Sequence, residues 1–179
     1  MGARAESLDP AGREYGRLAK SLRGRTAAGA AQGIVDHVRQ ELDAAYAGLT
    51  LIRPGNLLET AAATHPIVEQ VDRLQYELDE GPCRNGSWRR QTLLSSNLAA
   101  ERRWPRWAAR VSSLGITSVL AVKLTTGDDQ PIGAINLYWT SPRAFTADNV
   151  VFANLMARDA ALAVSRSTEP SQRSVPAPS

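Results

Sequence analysis

Apolar residues recur at helical spacing near both ends of the chain. Tyr15, Leu18 and Leu22 fall at i, i+3 and i+7, which is one face of a helix. A longer stripe of alanine, isoleucine, valine and leucine covers residues 27–42, and another covers residues 150–164. The pattern therefore predicts terminal helices that each bury one face.

Extended runs in the middle of the chain predict strands. Residues 49–52 and 57–64 are separated by a Pro-Gly pair that suits a type II turn, so we expect antiparallel neighbours. Residues 118–124 and 132–139 form a second predicted hairpin, and the odd-numbered residues of its second strand suit packing against the terminal helices. Residues 91–95 are a further predicted strand.

Two shorter helices are predicted between these hairpins, at residues 66–78 and 103–114. The economical packing of this order of elements is an α+β fold with a central antiparallel sheet of five to six strands. Terminal helices would cover one face of the sheet, and short helices and loops would cover the other. A sheet covered by loops is a natural place for a small-molecule cavity.

The length and the single cysteine narrow the class of protein. The 179 residues suit one domain, which we expect at residues 13–166, between a disordered N-terminus at 1–12 and a disordered Ser/Pro-rich tail at 167–179. Cys83 is the only cysteine, so an internal disulfide and a Cys-rich metal site are excluded. No apolar run reaches the roughly 18 residues of a membrane helix, and no secretory signal is visible. We therefore expect a cytoplasmic protein.

The charge is modest overall and uneven along the chain. The net charge is +3, but residues 84–110 contain seven arginines and only one acidic residue, Glu101. Such a segment can attract phosphates or another anionic partner. The alternative, which we favour, is a set of solvated arginines on loops and short helices.

Five stretches of sequence carry a resemblance to a known family. They read DRLQYELDEGPC at residues 72–83, NLAAERRWPRW at 97–107, GITSVL at 115–120, IGAINLY at 132–138 and AFT at 144–146. In this order they resemble the GAF domain family. The resemblance is closest to the GAF domains of bacterial GAF–ANTAR regulators.

The resemblance implies a sensory domain that binds a small molecule. In the GAF–ANTAR subgroup the last helix runs into an ANTAR domain, a small helical RNA-binding unit. Here the sequence ends at Ser179 in a Ser/Pro-rich tail, so we expect the ANTAR domain and its RNA binding to be absent. Residues 84–86 also differ from the apolar residue, Asp and small residue of the subgroup. No ligand preference or cofactor is therefore carried over, and the cofactor stays unknown.

Cys83 and the two histidines are candidates for a chemical role, and each also has a structural interpretation. Cys83 is either a redox-sensing or covalently modified thiol, as in bilin-binding relatives, or a small buried residue beside the Gly-Pro turn. Some GAF relatives hold haem through a histidine, but neither His37 nor His65 has a second ligand at metal spacing. We favour the structural interpretation for all three residues.

Aromatic and amide side chains are further candidates for ligand binding. Trp104 and Trp107 lie three residues apart on one side of a predicted helix, where they either line a pocket or anchor the helix on the sheet. Asn136 and Tyr138 alternate on one face of the last strand and are predicted to face the cavity. Trp88 lies in the short segment after Cys83 and completes the predicted ligand-binding set.

Nothing in the sequence supports catalysis. No nucleophile–base pair, phosphate-cradling loop or His-x-x-x-His motif is present, so we expect no enzymatic activity. The functional hypothesis is a regulatory domain that binds a small molecule and relays the signal through a homodimer of terminal helices. The alternative is a ligand-free interaction subunit that pairs with an ANTAR-bearing or other signalling protein.

Overall fold

The computed structural model describes residues 26–84, 91–143 and 145–168. The predicted N-terminus at residues 1–12, the predicted helix at residues 15–22 and residues 169–179 of the predicted tail at 167–179 lie outside these ranges. The elements in chain order are α1 (Ala27–Glu41), β1 (Tyr46–Arg53), β2 (Leu57–Ala63), α2 (Pro66–Leu78), β3 (Thr92–Ser95), a 3-10 helix (Leu98–Ala100), α3 (Pro105–Ser113), β4 (Ser118–Thr125), β5 (Pro131–Trp139) and α4 (Ala147–Thr168).

The strands form one antiparallel sheet in the order β2-β1-β5-β4-β3. Both predicted hairpins are present, and β1 joins them by pairing with β5, so that Thr50 lies opposite Ala134. The β1–β2 turn passes through Gly55 at φ 82°, as a type II turn requires at its third residue. The predicted α+β class is confirmed among the described residues.

The terminal helices α1 and α4 cover one face of the sheet. Alternation along β5 points Ile135, Leu137 and Trp139 into an apolar core that also contains Ile34 of α1 and Met156 of α4. All five side chains are almost fully buried. This face is the continuous apolar layer that the sequence predicted.

Capping side chains fix where these two helices begin. Thr26 accepts a hydrogen bond from the Gly29 backbone N–H at 3.2 Å at the start of α1. At α4, the Thr146 hydroxyl accepts from Asn149 N–H at 3.2 Å, and the Asn149 side chain accepts from Thr146 N–H at 3.1 Å. This exchange resembles a capping box, with Asn in place of Glu or Gln.

The opposite face is covered by α2, α3 and the loop of residues 79–84, which we call the roof. Its core brings Val68 of α2 and Trp107 of α3 against Tyr138 of β5. The helix α2 lies so close to β1 that a Cβ on Gly48 would stand 2.3 Å from Val68 Cγ1. Glycine at this position therefore allows the roof to approach the sheet.

Local details differ slightly from the predicted boundaries. The predicted break after α2 is confirmed, because Asp79 at φ 52° ends the helix in the left-handed conformation. The 3-10 helix was not predicted. It begins at Asn97, whose side chain accepts from the Ala99 N–H at 3.0 Å. Among the described helices, none is both long and apolar enough to cross a bilayer.

Candidate functional site

Five of the six predicted ligand-binding residues lie together on the roofed side of the sheet, either in the roof or on the strand beneath it. Cys83, Trp104, Trp107, Asn136 and Tyr138 are all at most 7% exposed. The sixth, Trp88, lies outside the described residues. Cys83 and Tyr138 are 55 positions apart in the sequence, yet both lie on the side of the sheet where the sequence predicted a cavity.

Asn136 occupies the middle of this face and holds contacts on both sides. Its amide nitrogen donates to the Thr50 hydroxyl of β1 at 3.1 Å. Its amide oxygen lies 3.5 Å from the Cys83 Sγ in the roof loop. Because β5 is the central strand, Asn136 links the neighbouring strand to the roof through buried polar contacts.

Asp72 of α2 is a buried carboxyl group that the sequence analysis did not single out as a site residue. The Thr50 and Thr60 hydroxyls each donate to its Oδ2 at 2.7 Å, and Gln75 donates to Oδ1 at 3.4 Å. Burial raises the pKa of Asp72 despite these hydrogen bonds, which favour the ionised form. The available signal was its spacing, four residues after Val68 on the apolar face of α2.

Gln75 connects this carboxyl group to the roof loop. Its side-chain oxygen accepts from the Cys83 backbone N–H at 2.8 Å. The loop reaches it through Gly81 at φ 129°, where a Cβ would stand 2.5 Å from Gln75 Oε1. The chain of contacts from Asp72 through Gln75 to Cys83 therefore depends on glycine at residue 81.

The Cys83 thiol is buried and protonated at neutral pH. Burial, followed by the charge of Asp72, raises its pKa to about 12. A thiol becomes a nucleophile or a redox sensor only as the thiolate, which this environment disfavours. The geometry of the described residues therefore supports the structural interpretation of Cys83.

The Tyr138 hydroxyl is buried without a hydrogen-bond partner among the described residues. Burial, followed by the charge of Asp72, raises the pKa of Tyr138 well above its usual value, so the hydroxyl is a neutral donor. Buried hydroxyls are normally paired with protein or with ordered water. The unpaired Tyr138 hydroxyl marks a position where one more polar group is needed.

The two tryptophans of the roof fasten α3 to its neighbours. Their rings meet edge to face with centroids 5.9 Å apart. The Trp107 indole donates to the Val71 carbonyl of α2 at 3.3 Å, and the Arg103 guanidinium lies 4.5 Å from the Trp104 ring centroid. These contacts anchor α3, and an anchoring ring also lines whatever lies beneath it, so the two interpretations of these residues are compatible.

Glu80 clamps the roof loop to the start of α3. Its carboxylate accepts from the Arg106 and Trp107 backbone N–H groups at 2.8 and 3.1 Å, and from the Arg106 guanidinium at 2.7 Å. Trp104, at the N-cap position, supplies no side-chain cap. Glu80 therefore caps α3 from another segment, which joins two parts of the roof.

Ion pairs account for several arginines of the basic segment. Arg103 pairs with Glu101, Arg106 with Glu80, and Arg84 with Asp79. An attraction for nucleic acid needs cations that are free to contact phosphates. These pairs give three of the arginines structural partners, in line with the solvated-arginine interpretation.

The histidines have local structural contacts. The His65 Nδ1 accepts from the Ile67 N–H at 3.1 Å and so caps α2, while His37 stacks obliquely on Phe152 with ring centroids 5.9 Å apart. In the described part of the chain, no group of three or more His, Cys, Asp or Glu residues is placed to hold a metal ion.

Comparison with known structures shows the same fold in proteins of low sequence identity. The GAF domain of the Acinetobacter phosphoenolpyruvate-protein phosphotransferase superimposes with a TM-score of 0.69 at 14% identity, covering 86% of this chain and 92% of that one. The cyanobacteriochrome TePixJ GAF domain gives 0.61 at 16%, covering 81% and 92%. The bacteriophytochrome RpBphP3 of R. palustris gives 0.64 at 10%, and the match spans 92% of this chain but 39% of the phytochrome.

Sequence comparison gives the family. No curated protein matches the chain by sequence. A family model described as GAF domain, however, matches residues 24–165, which include every described strand and nearly all of the described helices. Together with the sheet order and the roofed face, this match shows that the chain belongs to the GAF domain family.

Proposed function

We propose that this GAF domain is a cytoplasmic, non-catalytic sensor that binds a small polar molecule between the sheet and the roof. GAF domains are a sensory and regulatory family that binds small molecules. The observation that carries the proposal for this chain is the unpaired Tyr138 hydroxyl beneath the roof. A ligand with a polar atom at that position would satisfy it.

Energetics favour such a ligand. A buried polar group without a partner costs about 1–3 kcal/mol, and a ligand that supplies the partner recovers this free energy on binding. Asn136 and Cys83 lie on the same face and offer further polar contacts to a bound molecule. The roof loop of residues 79–84 would move to admit the ligand. Contacts of Gln75 and Glu80 hold this loop in place.

The central strand supplies a route for the signal. Asn136 and Tyr138 face the roof, while Leu137 and Trp139 of the same strand contact the layer of terminal helices. A shift of β5 on ligand binding would therefore act directly on α1 and α4. We propose this coupling as the relay, by analogy with helix shifts at subunit interfaces.

A homodimer through α4 is part of the proposal. Val151 and Leu162 are 58% and 55% exposed, and the half-buried Leu155 lies between them on the same face at helical spacing. A two-fold pairing would cover this stripe with its own copy. Leu162→Glu should then shift the sedimentation coefficient from that of a dimer to that of a monomer, whereas Arg110→Glu, exposed on α3 away from this stripe, should leave it unchanged.

The alternative is a ligand-free subunit that pairs with an ANTAR-bearing or other signalling partner, as the resemblance to GAF–ANTAR regulators suggests. The observation that favours it is that solvent does not reach the roof and strand side chains packed together above β5. Trp107 and Tyr138 are fully buried. In this case the roof stays closed and only the helical surface is functional.

One experiment separates the two functions. The full chain is screened by thermal shift against nucleotides, haem, bilins and common metabolites. A ligand at about 100 times its Kd adds about 2.7 kcal/mol of stability. The response should vanish in Tyr138→Phe, while Leu94→Ala, on the far edge strand, keeps it. The absence of any response would favour the interaction subunit, whereas a response that Tyr138→Phe retains unchanged would show that the ligand binds elsewhere and would overturn the site beneath the roof.

A further inference from the structure

A groove on the outer edge of the roof is separate from the residues beneath it. It lies between α2 and the edge strand β2 and encloses about 590 Å³. Small-molecule sites typically measure about 300–1,000 Å³. The groove is thus large enough for a metabolite of modest size.

The walls of the groove are apolar on the strand side and aromatic on the helix side. Leu57 and Tyr76 both line it and are 47% and 50% exposed, which is unusual for large apolar side chains in this chain. Leu58 lines the same wall. These side chains can cover an aliphatic or aromatic group of a ligand, which would remove apolar surface from water.

Charges of both signs face the same groove. Glu69 and Arg73 line it one helical turn apart, in the order that favours an ion pair on a helix. Within the described residues, however, the structure shows no ion pair or hydrogen bond of either side chain. Asp72 also lines the groove, but its carboxyl group is buried and accepts hydrogen bonds from Thr50, Thr60 and Gln75. An unpaired acid and an unpaired base next to an apolar wall therefore remain available to a ligand.

We propose that this groove binds a small zwitterion with an apolar side chain, that is, a free amino acid or a close analogue. The ammonium group contacts the Glu69 carboxylate, and the carboxylate contacts the Arg73 guanidinium. The apolar part lies against Leu57 and Tyr76. Each partner is a complementary charge or an exposed apolar surface that the fold otherwise leaves in water.

The consequence is a second input to the same domain. Asp72 is hydrogen-bonded to Thr50, which in turn accepts from Asn136 beneath the roof. A molecule in the groove therefore lies beside the residue on which the polar network centres, without occupying the interior. This proposal does not depend on a ligand beneath the roof.

The test uses the full chain labelled with ¹⁵N and with ¹³C at the leucine methyl groups. L-leucine and L-phenylalanine are titrated and compared with molecules of the same shape that carry one charge, namely 3-methylbutylamine and 4-methylpentanoate. The expected result is a saturable shift of the Leu57 and Leu58 methyl signals by an amino acid, with affinity at least about tenfold higher than for either single-charge molecule.

Charge variants complete the test. Glu69→Gln and Arg73→Met should each weaken amino-acid binding by about tenfold, a loss of one charged contact. Glu77→Gln on α2 and Arg110→Met on α3 are exposed controls outside the groove and should not change it. Equal affinity for a single-charge molecule, no saturable shift at millimolar concentration, or binding that both charge variants retain would overturn the proposal. Loss of the shift in Tyr138→Phe would also overturn it, because the ligand would then lie beneath the roof.

Discussion

The two faces of the sheet are built on opposite principles, although the same strands supply both. Towards α1 and α4, β5 presents Ile135, Leu137 and Trp139 to a core of aliphatic side chains. Towards the roof, the alternate residues of the same strand include Asn136 within a chain of buried hydrogen bonds. The helix face gains stability from apolar burial. The roofed face buries less apolar surface and instead holds polar groups whose positions are fixed by hydrogen bonds.

This difference indicates where function resides. An apolar layer tolerates many side chains of similar volume, whereas a hydrogen-bonded network fixes particular atoms in particular places. In this domain the network centres on Asp72, which contacts Thr50 and Thr60 on two strands and Gln75 on its own helix. We therefore expect mutations on the helix face to change stability, and mutations on the roofed face to change how stability depends on pH and ligand.

The largest effect is expected on the helix face. Leu137→Ala removes a fully buried side chain and should lower the free energy of unfolding by about 2–5 kcal/mol, through lost burial and the cavity that remains. Urea denaturation monitored by circular dichroism measures the change. Leu94→Ala, with a side chain 37% exposed, is the matched control and should stay within about 0.5 kcal/mol of the wild type. Equal losses at the two sites would mean that the helix face is not the stabilising layer.

A smaller effect, with a dependence on pH, is expected at Asp72. Because burial raises its folded pKa above the unfolded value, the contribution of Asp72 to stability is complete below the unfolded pKa and is lost as pH rises through the folded pKa. Asp72→Asn removes this titration. The stability of the variant relative to the wild type should therefore rise between pH 4 and pH 8, as measured by thermal melts on both proteins. A difference that falls with pH would show that the hydrogen bonds outweigh burial.

At Tyr138 we expect a change of opposite sign to that at Leu137. Tyr138→Phe removes the unpaired hydroxyl while keeping the buried ring, so the ligand-free domain should gain about 1 kcal/mol. The comparison is made by urea denaturation of dialysed protein. A loss of stability would instead reveal a partner for the hydroxyl in the free protein, such as an ordered water, and would remove the observation on which the proposed function rests.

The sequence predicted the helix face more fully than the roofed face, and the reason is physical. Apolar periodicity follows from local geometry, so the stripe of α4 and the alternation of β5 were visible in the residues themselves. The contacts of Asn136 with Cys83 join residues 53 positions apart, which no local pattern encodes. Asp72 had a local signal, its place on the apolar face of α2, but its partners depend on how β1 and β2 pair beneath it.

The smallest effect is expected at Glu101, which forms an ion pair with Arg103 at the edge of the roof. This carboxyl group can be compared with that of Asp72, which accepts hydrogen bonds from neutral side chains. Hydrogen bonds from Arg103 lower the pKa of Glu101 to about 2. Its contribution is therefore present above the unfolded pKa and is lost as pH falls towards 2, the reverse of Asp72. The Arg103 side chain is 46% exposed and that of Glu101 only 6%, so water screens the pair from the arginine side, and Glu101→Gln should cost about 0.2–1 kcal/mol at pH 7 and less at pH 3. Melts at both pH values measure this. If Asp72→Asn and Glu101→Gln showed the same pH trend, the contrast between a buried carboxyl group held by neutral donors and one paired with an arginine would not hold.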